Sequence, residues 1–172
     1  TSWFQAKSKE QFENFNCTVG FAYPTTPFNL VYSLLHIYRH LFSEGIGLRQ
    51  VLDYYYILTN STKDERKRAY KTICRFGMKE FVGAAMFVLQ EVFGLKDEYL
   101  LCESSKKSGS FILNEILLAG NFGQYDIRTK KINKEKRIER GLVQLARNLR
   151  FVRYYPHEVL LSPIWKCWHY GW

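Results

Sequence analysis

The sequence is 172 residues long, 47% hydrophobic and 17% aromatic, and carries a formal charge of +9. A chain of this length buries roughly 70% of the surface that its unfolded form exposes, so the composition excludes an intrinsically disordered protein and fits one helical domain of ordinary size. Four cysteines, Cys17, Cys74, Cys102 and Cys167, lack CxxC or finger-like spacing. That excludes a cysteine zinc site, and the thiols are expected to be reduced and buried as in a cytoplasmic protein.

Residues 1–16 contain SKEQFENF, which fits a short helix carrying Phe12 and Phe15. The start at Thr1, without an initiator methionine, reads as the C-terminal fragment of a longer protein. Cys17 to Thr26 is an aromatic connector with room for a short strand and no evident sheet partner. The uncharged run from Asn14 to Tyr38 is interrupted by Pro24 and Pro27, and the apolar run from Phe81 to Gln90 is too short to cross a bilayer. No transmembrane segment is expected.

Phe28 to Asn60 carries the strongest pattern. Thr26 is the expected N-cap and Pro27 suits the first helical position, where a missing N–H costs nothing. Val31, Leu34, Leu35, Tyr38, Leu41 and Phe42 then recur at helical spacing. Gly45 is the expected C′ residue, and Leu48, Val51, Leu52, Tyr55 and Leu58 repeat the stripe. The short Glu44–Gly47 link predicts an antiparallel helical hairpin.

Thr62-Lys63-Asp64-Glu65 is a capping box opening a helix that buries Ala69, Tyr70, Ile73 and Phe76 and closes at Gly77. Met78 to Phe93 is apolar nearly all round and belongs at the centre, with Gly83, Ala84 and Ala85 admitting a neighbouring helix. Residues 103–109 (ESSKKSG) read as a flexible polar loop, followed by a helix from Ser110 to Ala119. Gly120-Asn121-Phe122-Gly123 lacks the Lys and Ser/Thr of a phosphate loop and reads as a turn. Asn133 to Arg153 is a basic helix whose Ile138, Leu142, Leu145, Leu149 and Val152 follow a heptad and are expected in the core. Pro156 stops it, and a tail holding Trp165, Trp168 and Trp172 follows. The expected fold is all-α, about eight helices bundled around the hairpin.

Charge is unevenly placed. Arg128 to Arg153 has a net charge of +8 and Lys63 to Lys79 a net charge of +5. Arg137, Arg140, Arg147 and Arg150 are spaced to track an anionic partner such as nucleic acid, although no recognition motif surrounds them. Basic residues beside a tryptophan-rich tail also suit an anionic membrane surface, and a plainly solvated face is the simplest alternative.

Tyr32, His36 and His40 share the helix face opposite the apolar stripe, and Arg49 and Asp53 lie one turn apart on the returning helix. An i,i+4 histidine pair can chelate a metal, but no third ligand is fixed, so no metal site is assigned. The alternative is a polar network in which Asp53 bonds Arg49 or a histidine across the hairpin. No nucleophile set is present, and the catalytic assignment is none.

Three stretches, LLHIYRHLFSEGIGLRQVLDYYYIL at Leu34–Leu58, GNFGQYD at Gly120–Asp126 and YYPHEVLLSPIWKCWHY near the end, resemble the helical C-terminal region of the uncharacterised bacterial nucleotidyltransferase family, Bacteroidetes type, in the polymerase-β-like superfamily. In that family a catalytic half pairs a Gly-Ser helix with a strand bearing two metal-binding carboxylates. Here Gly109-Ser110 is followed by no Asp-x-Asp or Asp-x-Glu, and Asp126 stands alone. The resemblance therefore implies an accessory, substrate-side domain, inactive by itself, with Tyr32, His36, His40, Arg49 and Asp53 lining or bracing a cleft. Its partner would be an N-terminal catalytic domain before Thr1, which would use Mg²⁺ and a nucleoside triphosphate. No cofactor is assigned to this chain, and the rival function is a stand-alone basic module for nucleic acid or another anionic partner.

Overall fold

In the computed structural model, residues 2–12, 15–16, 21–43, 45–120, 126, 137–156 and 159 are described. The architecture is all-α. Helices α1 (Ser2–Phe12), α2 (Thr26–Ser43), α3 (Leu48–Thr59), α4 (Lys63–Arg75), α5 (Lys79–Phe93), α6 (Lys106–Ala119) and α7 (Arg137–Phe151) are joined by one 3-10 turn at Asp97–Tyr99. Two-residue strands β1 (Phe15–Asn16) and β2 (Phe21–Ala22) pair antiparallel, Phe15 opposite Ala22, which supplies the sheet partner the connector lacked in the sequence. The chain divides into two units, Thr1–Gln124 and Tyr125–Trp172. Among the described residues, no helix is long and apolar enough to cross a membrane.

In the first unit the chain turns at glycines. Gly45, Gly77, Gly94 and Gly120 all have positive φ, where other residues carry a Cβ penalty. The Gly45 N–H donates to His40 O (2.8 Å), closing the end of α2. At the other end of α2 the Asn29 N–H donates to Thr25 O (2.9 Å), so Thr25 holds the cap position and the helix starts at Thr26, one residue earlier than expected. The Thr62 box forms in full: the Glu65 N–H donates to Thr62 Oγ1 (3.3 Å), and the Thr62 N–H donates to Glu65 Oε2 (2.8 Å).

Helix α5 lies at the centre, with Phe81 to Met86, Val88 and Leu89 all buried. α6 packs against it, and α2 packs against both α3 and α4. The small residues at 83–85 admit the close approach expected of them: the Ser105 N–H at the start of α6 donates to Gly83 O (2.9 Å), and Ala85 lies beside Ile112 and Ile116 of α6. α6 also meets α5 closely at Gly109, where a Cβ would stand 2.5 Å from Phe87 Cβ.

Phe15, expected on the first helix, lies in β1, because α1 ends at Phe12, and three further readings need correction within the described residues. The expected loop at 103–109 is half helix, because Lys106 to Gly109 form the first turn of α6 and Ser108 is only 1% exposed. Their polarity concealed a helix start that uses Ser108 and Gly109 for close packing. Tyr54 was left out of the α3 stripe, yet it is buried and its hydroxyl donates to Leu30 O (2.9 Å). One hydrogen bond lets a phenol occupy a core position that polarity argues against.

The third correction concerns α7, in the second unit. Leu142, Leu145 and Leu149 are 57%, 55% and 67% exposed, while Arg147 and Phe151 are buried. The heptad marks a real stripe, but periodicity cannot say what covers it. The opposite face is stabilised by Phe151, whose ring lies 5.9 Å from the Arg147 guanidinium and stacks against Tyr155 at a tilt. The Asn121–Gly123 part of the expected turn and the tail from Leu160 onward lie outside the described residues.

Candidate functional site

Helical spacing sets Phe28, Tyr32, His36 and His40 in one row along α2. The Phe28 and Tyr32 rings stack at 5.4 Å, Tyr32 and His36 at 5.9 Å, and His36 meets His40 edge-on at 4.4 Å. Phe28 is buried and His40 half-buried, whereas Tyr32 and His36 are exposed. The row thus runs out of the core onto the surface. Partial burial lowers the His36 pKa, and the neighbouring His40 and Arg39 lower it further. At neutral pH His36 is therefore an uncharged imidazole, able both to donate and to accept a hydrogen bond and to stack on an aromatic ligand. Among the described residues, no group of three His, Cys, Asp or Glu is arranged to hold a metal ion.

Arg49 and Asp53 occupy the exposed side of α3. Among the described residues, neither makes an ion pair within 4 Å, and no bond links Asp53 to Arg49, His36 or His40. The expected network does not form, because both groups are exposed and water solvates them at least as well as a surface pair would. Tyr56, 58% exposed, stands edge-on to Tyr55 on the same helix.

The arginine patch on α7 is also rearranged. Arg147 is buried, and Arg150 is half-buried with Nη1 donating to Ala146 O (3.3 Å). Arg137 and Arg140 lie on α7 by backbone position. Among the described residues, α4 carries an exposed basic row, Lys63, Lys67, Lys71 and Arg75, spaced four residues apart within the +5 segment.

Two further features were not legible. Arg66, counted in the sequence as one more surface charge, is buried at the C-terminus of α3. Its Nη1 donates to Ser61 O, Ser61 Oγ and Leu58 O, its Nη2 donates to Glu98 O (2.9 Å), and the guanidinium lies 5.3 Å from the Tyr99 ring. It satisfies helix-end carbonyls and complements the helix dipole. Between α1, the connector, α2 and α4 lies a cleft of about 680 Å³ with Phe28, Val31 and Ala69 among its walls and Arg68 at its α4 side.

Among the described residues, Cys102 is not activated as a nucleophile. Burial pushes the Cys102 thiol up, and the Tyr70 phenol, half-buried and hydrogen-bonded to Cys74, is raised to about 12. Cys74 and Cys102 are free and half-buried. Comparison with protein-family models, with curated proteins and with solved structures gives no match.

Proposed function

We propose that the chain is the accessory, substrate-side helical domain of a nucleotidyltransferase, inactive by itself, and that its α2 face meets the nucleotide or acceptor. The observation that carries this reading is the stacked Tyr32–His36–His40 row, which emerges from the core onto the surface with an uncharged imidazole at its exposed part. Aromatic and imidazole rings in register suit the flat face of a base. The resemblance at Leu34–Leu58 supplies the reaction class. Arg49 and Asp53, exposed and without ion pairs among the described residues, are available to a partner surface.

In this reading α2 and α3 form the antiparallel hairpin of a bundle of about eight helices. The partner is an N-terminal catalytic domain in the bacterial cytoplasm. That domain supplies the paired carboxylates and works with Mg²⁺ and a nucleoside triphosphate. The test is label transfer. Incubated with Mg²⁺, radiolabelled nucleoside triphosphates and candidate acceptors, the purified chain transfers nothing. Stoichiometric, magnesium-dependent labelling of any acceptor overturns the reading.

A further inference from the structure

We propose that the exposed row Lys63, Lys67, Lys71 and Arg75 on α4 tracks the phosphates of single-stranded nucleic acid, with the adjoining cleft taking an unpaired base. The proposal concerns the α4 surface and the cleft beside it, which shares Phe28 with the α2 row, and it stands or falls apart from the nucleotidyltransferase reading.

Six Lys/Arg against Asp64 and Glu65 give α4 a net charge of +4. Glu65 is committed to the Thr62 cap and Arg66 is buried beneath the end of α3. What α4 shows to solvent is therefore Lys63, Lys67, Arg68, Lys71 and Arg75, opposed by Asp64 alone. Among the described residues, none of these five cations makes an ion pair within 4 Å. Like charges at i,i+4 destabilise a helix, and this row contains three such steps in succession. A polyanion laid along it removes that repulsion. Each step rises about 6 Å along the axis, comparable with the separation of neighbouring phosphates on an extended strand.

The surroundings decide among anionic partners. A helix that binds a membrane surface buries an apolar face between lipid headgroups. Among the described residues, every large exposed hydrophobic side chain lies on another element, so α4 has nothing to insert. The cleft argues for bases. Arg68 borders the row through Asp64, Lys67 and Lys71, and on its other side it lines the 680 Å³ cleft. Phe28, Val31 and Ala69 give that cleft apolar surface, Thr25, Thr26 and Thr72 add hydroxyls, and of its two carboxylates Glu10 is paired with Lys7 and Glu65 is held by the Thr62 cap. Apolar walls with hydroxyls and a guanidinium beside a phosphate track suit a splayed base, which a duplex keeps paired and stacked.

The test is fluorescence anisotropy of a short labelled oligothymidylate across a salt series, using the full chain. Four phosphate contacts predict a slope of log K against log salt of about −2.8. The double variant Lys67→Glu/Lys71→Glu should weaken binding at least about tenfold and halve that slope. Lys106→Glu/Lys107→Glu, an equal charge change at exposed positions of α6, should leave both values unchanged, with circular dichroism confirming the fold of each variant. Equal losses in the two variants overturn the assignment to α4. Equal or tighter binding of a duplex of the same length, of phosphatidylserine vesicles or of polyglutamate overturns the single-strand assignment.

Discussion

The contact between α5 and α6 at Gly109 predicts a large effect from a single methyl group. A Cβ at Gly109 would lie 2.5 Å from Phe87 Cβ and Cδ1 and 2.6 Å from Cγ. Carbon atoms rest at about 3.5–4.0 Å, so Gly109→Ala demands roughly 1–1.5 Å of separation. A rotamer change cannot supply it, because Phe87 Cβ is anchored to the α5 backbone. The helices must part in a region where Ser108, Gly109 and Ile112 are buried. Overpacking of this kind costs about 1–3 kcal/mol, and the fixed obstacle places it at the upper end. Replacing glycine inside a helix returns about 1 kcal/mol, leaving a net loss of about 2 kcal/mol. For a chain of this size that lowers Tm by roughly 4–8 °C. Thermal melts followed by circular dichroism measure it directly. Phe87→Ala should restore only part of the loss, since its Cβ remains. The built-in control is Gly141 on α7, where a Cβ meets no atom within 4 Å, so Gly141→Ala should be neutral or stabilising. A Gly109→Ala protein as stable as the parent would refute the packing described for α5 and α6.

Other expectations follow from single residues. Arg66→Ala strips four hydrogen bonds, three of them buried, and should cost at least about 2 kcal/mol in urea denaturation, whereas Lys67→Ala next to it should be near neutral. On α7, Arg147→Glu should disturb folding more than Leu145→Asp, because Arg147 is 9% exposed and Leu145 55%; the opposite order in paired melts would restore the buried seam. Thr62→Ala removes the α4 cap and should cost about 1 kcal/mol. The Thr62 backbone and hydroxyl donors hold the Glu65 pKa below its ordinary value. A depressed carboxylate stabilises the fold above its unfolded pKa and loses that contribution as pH falls through the folded value. The parent-to-Thr62→Ala difference should therefore shrink on acidification below about pH 4.3, and a constant difference would detach Glu65 from the cap.

The helix ends were legible because they rest on local chemistry. Thr62 and Glu65 sit three residues apart, and Gly45, Gly77 and Gly94 stand where the periodic runs stop. The α2 stripe was legible because 3.6-residue spacing and burial coincide at Val31, Leu34 and Leu41. What failed needed three-dimensional partners. Ser108 and Gly109 look like loop residues until Phe87 is set against them. Arg66 looks like a surface charge until the Ser61 and Glu98 carbonyls are placed around it. The α7 heptad shows a stripe at Leu142, Leu145 and Leu149 but not which side of the helix is covered. For the candidate site, the spacing of Tyr32, His36 and His40 predicted a shared face, and the rings stack along it. The Asp53 network needed a partner on the same helix or across the hairpin that spacing alone cannot place, and both Asp53 and Arg49 remain in water.

The proposed contact of the α2 row with a nucleotide or its acceptor is open to a direct measurement. Histidine ring NMR signals during titration with a nucleoside triphosphate and Mg²⁺ test it most directly. In the free protein the His36 ring should titrate below the ordinary histidine value, and above that transition the nucleotide should shift the His36 and His40 ring signals together. Tyr32→Ala should weaken the response while leaving the circular dichroism spectrum unchanged. Ring signals that stay fixed at saturating nucleotide, while resonances elsewhere in the chain move, would contradict the claim.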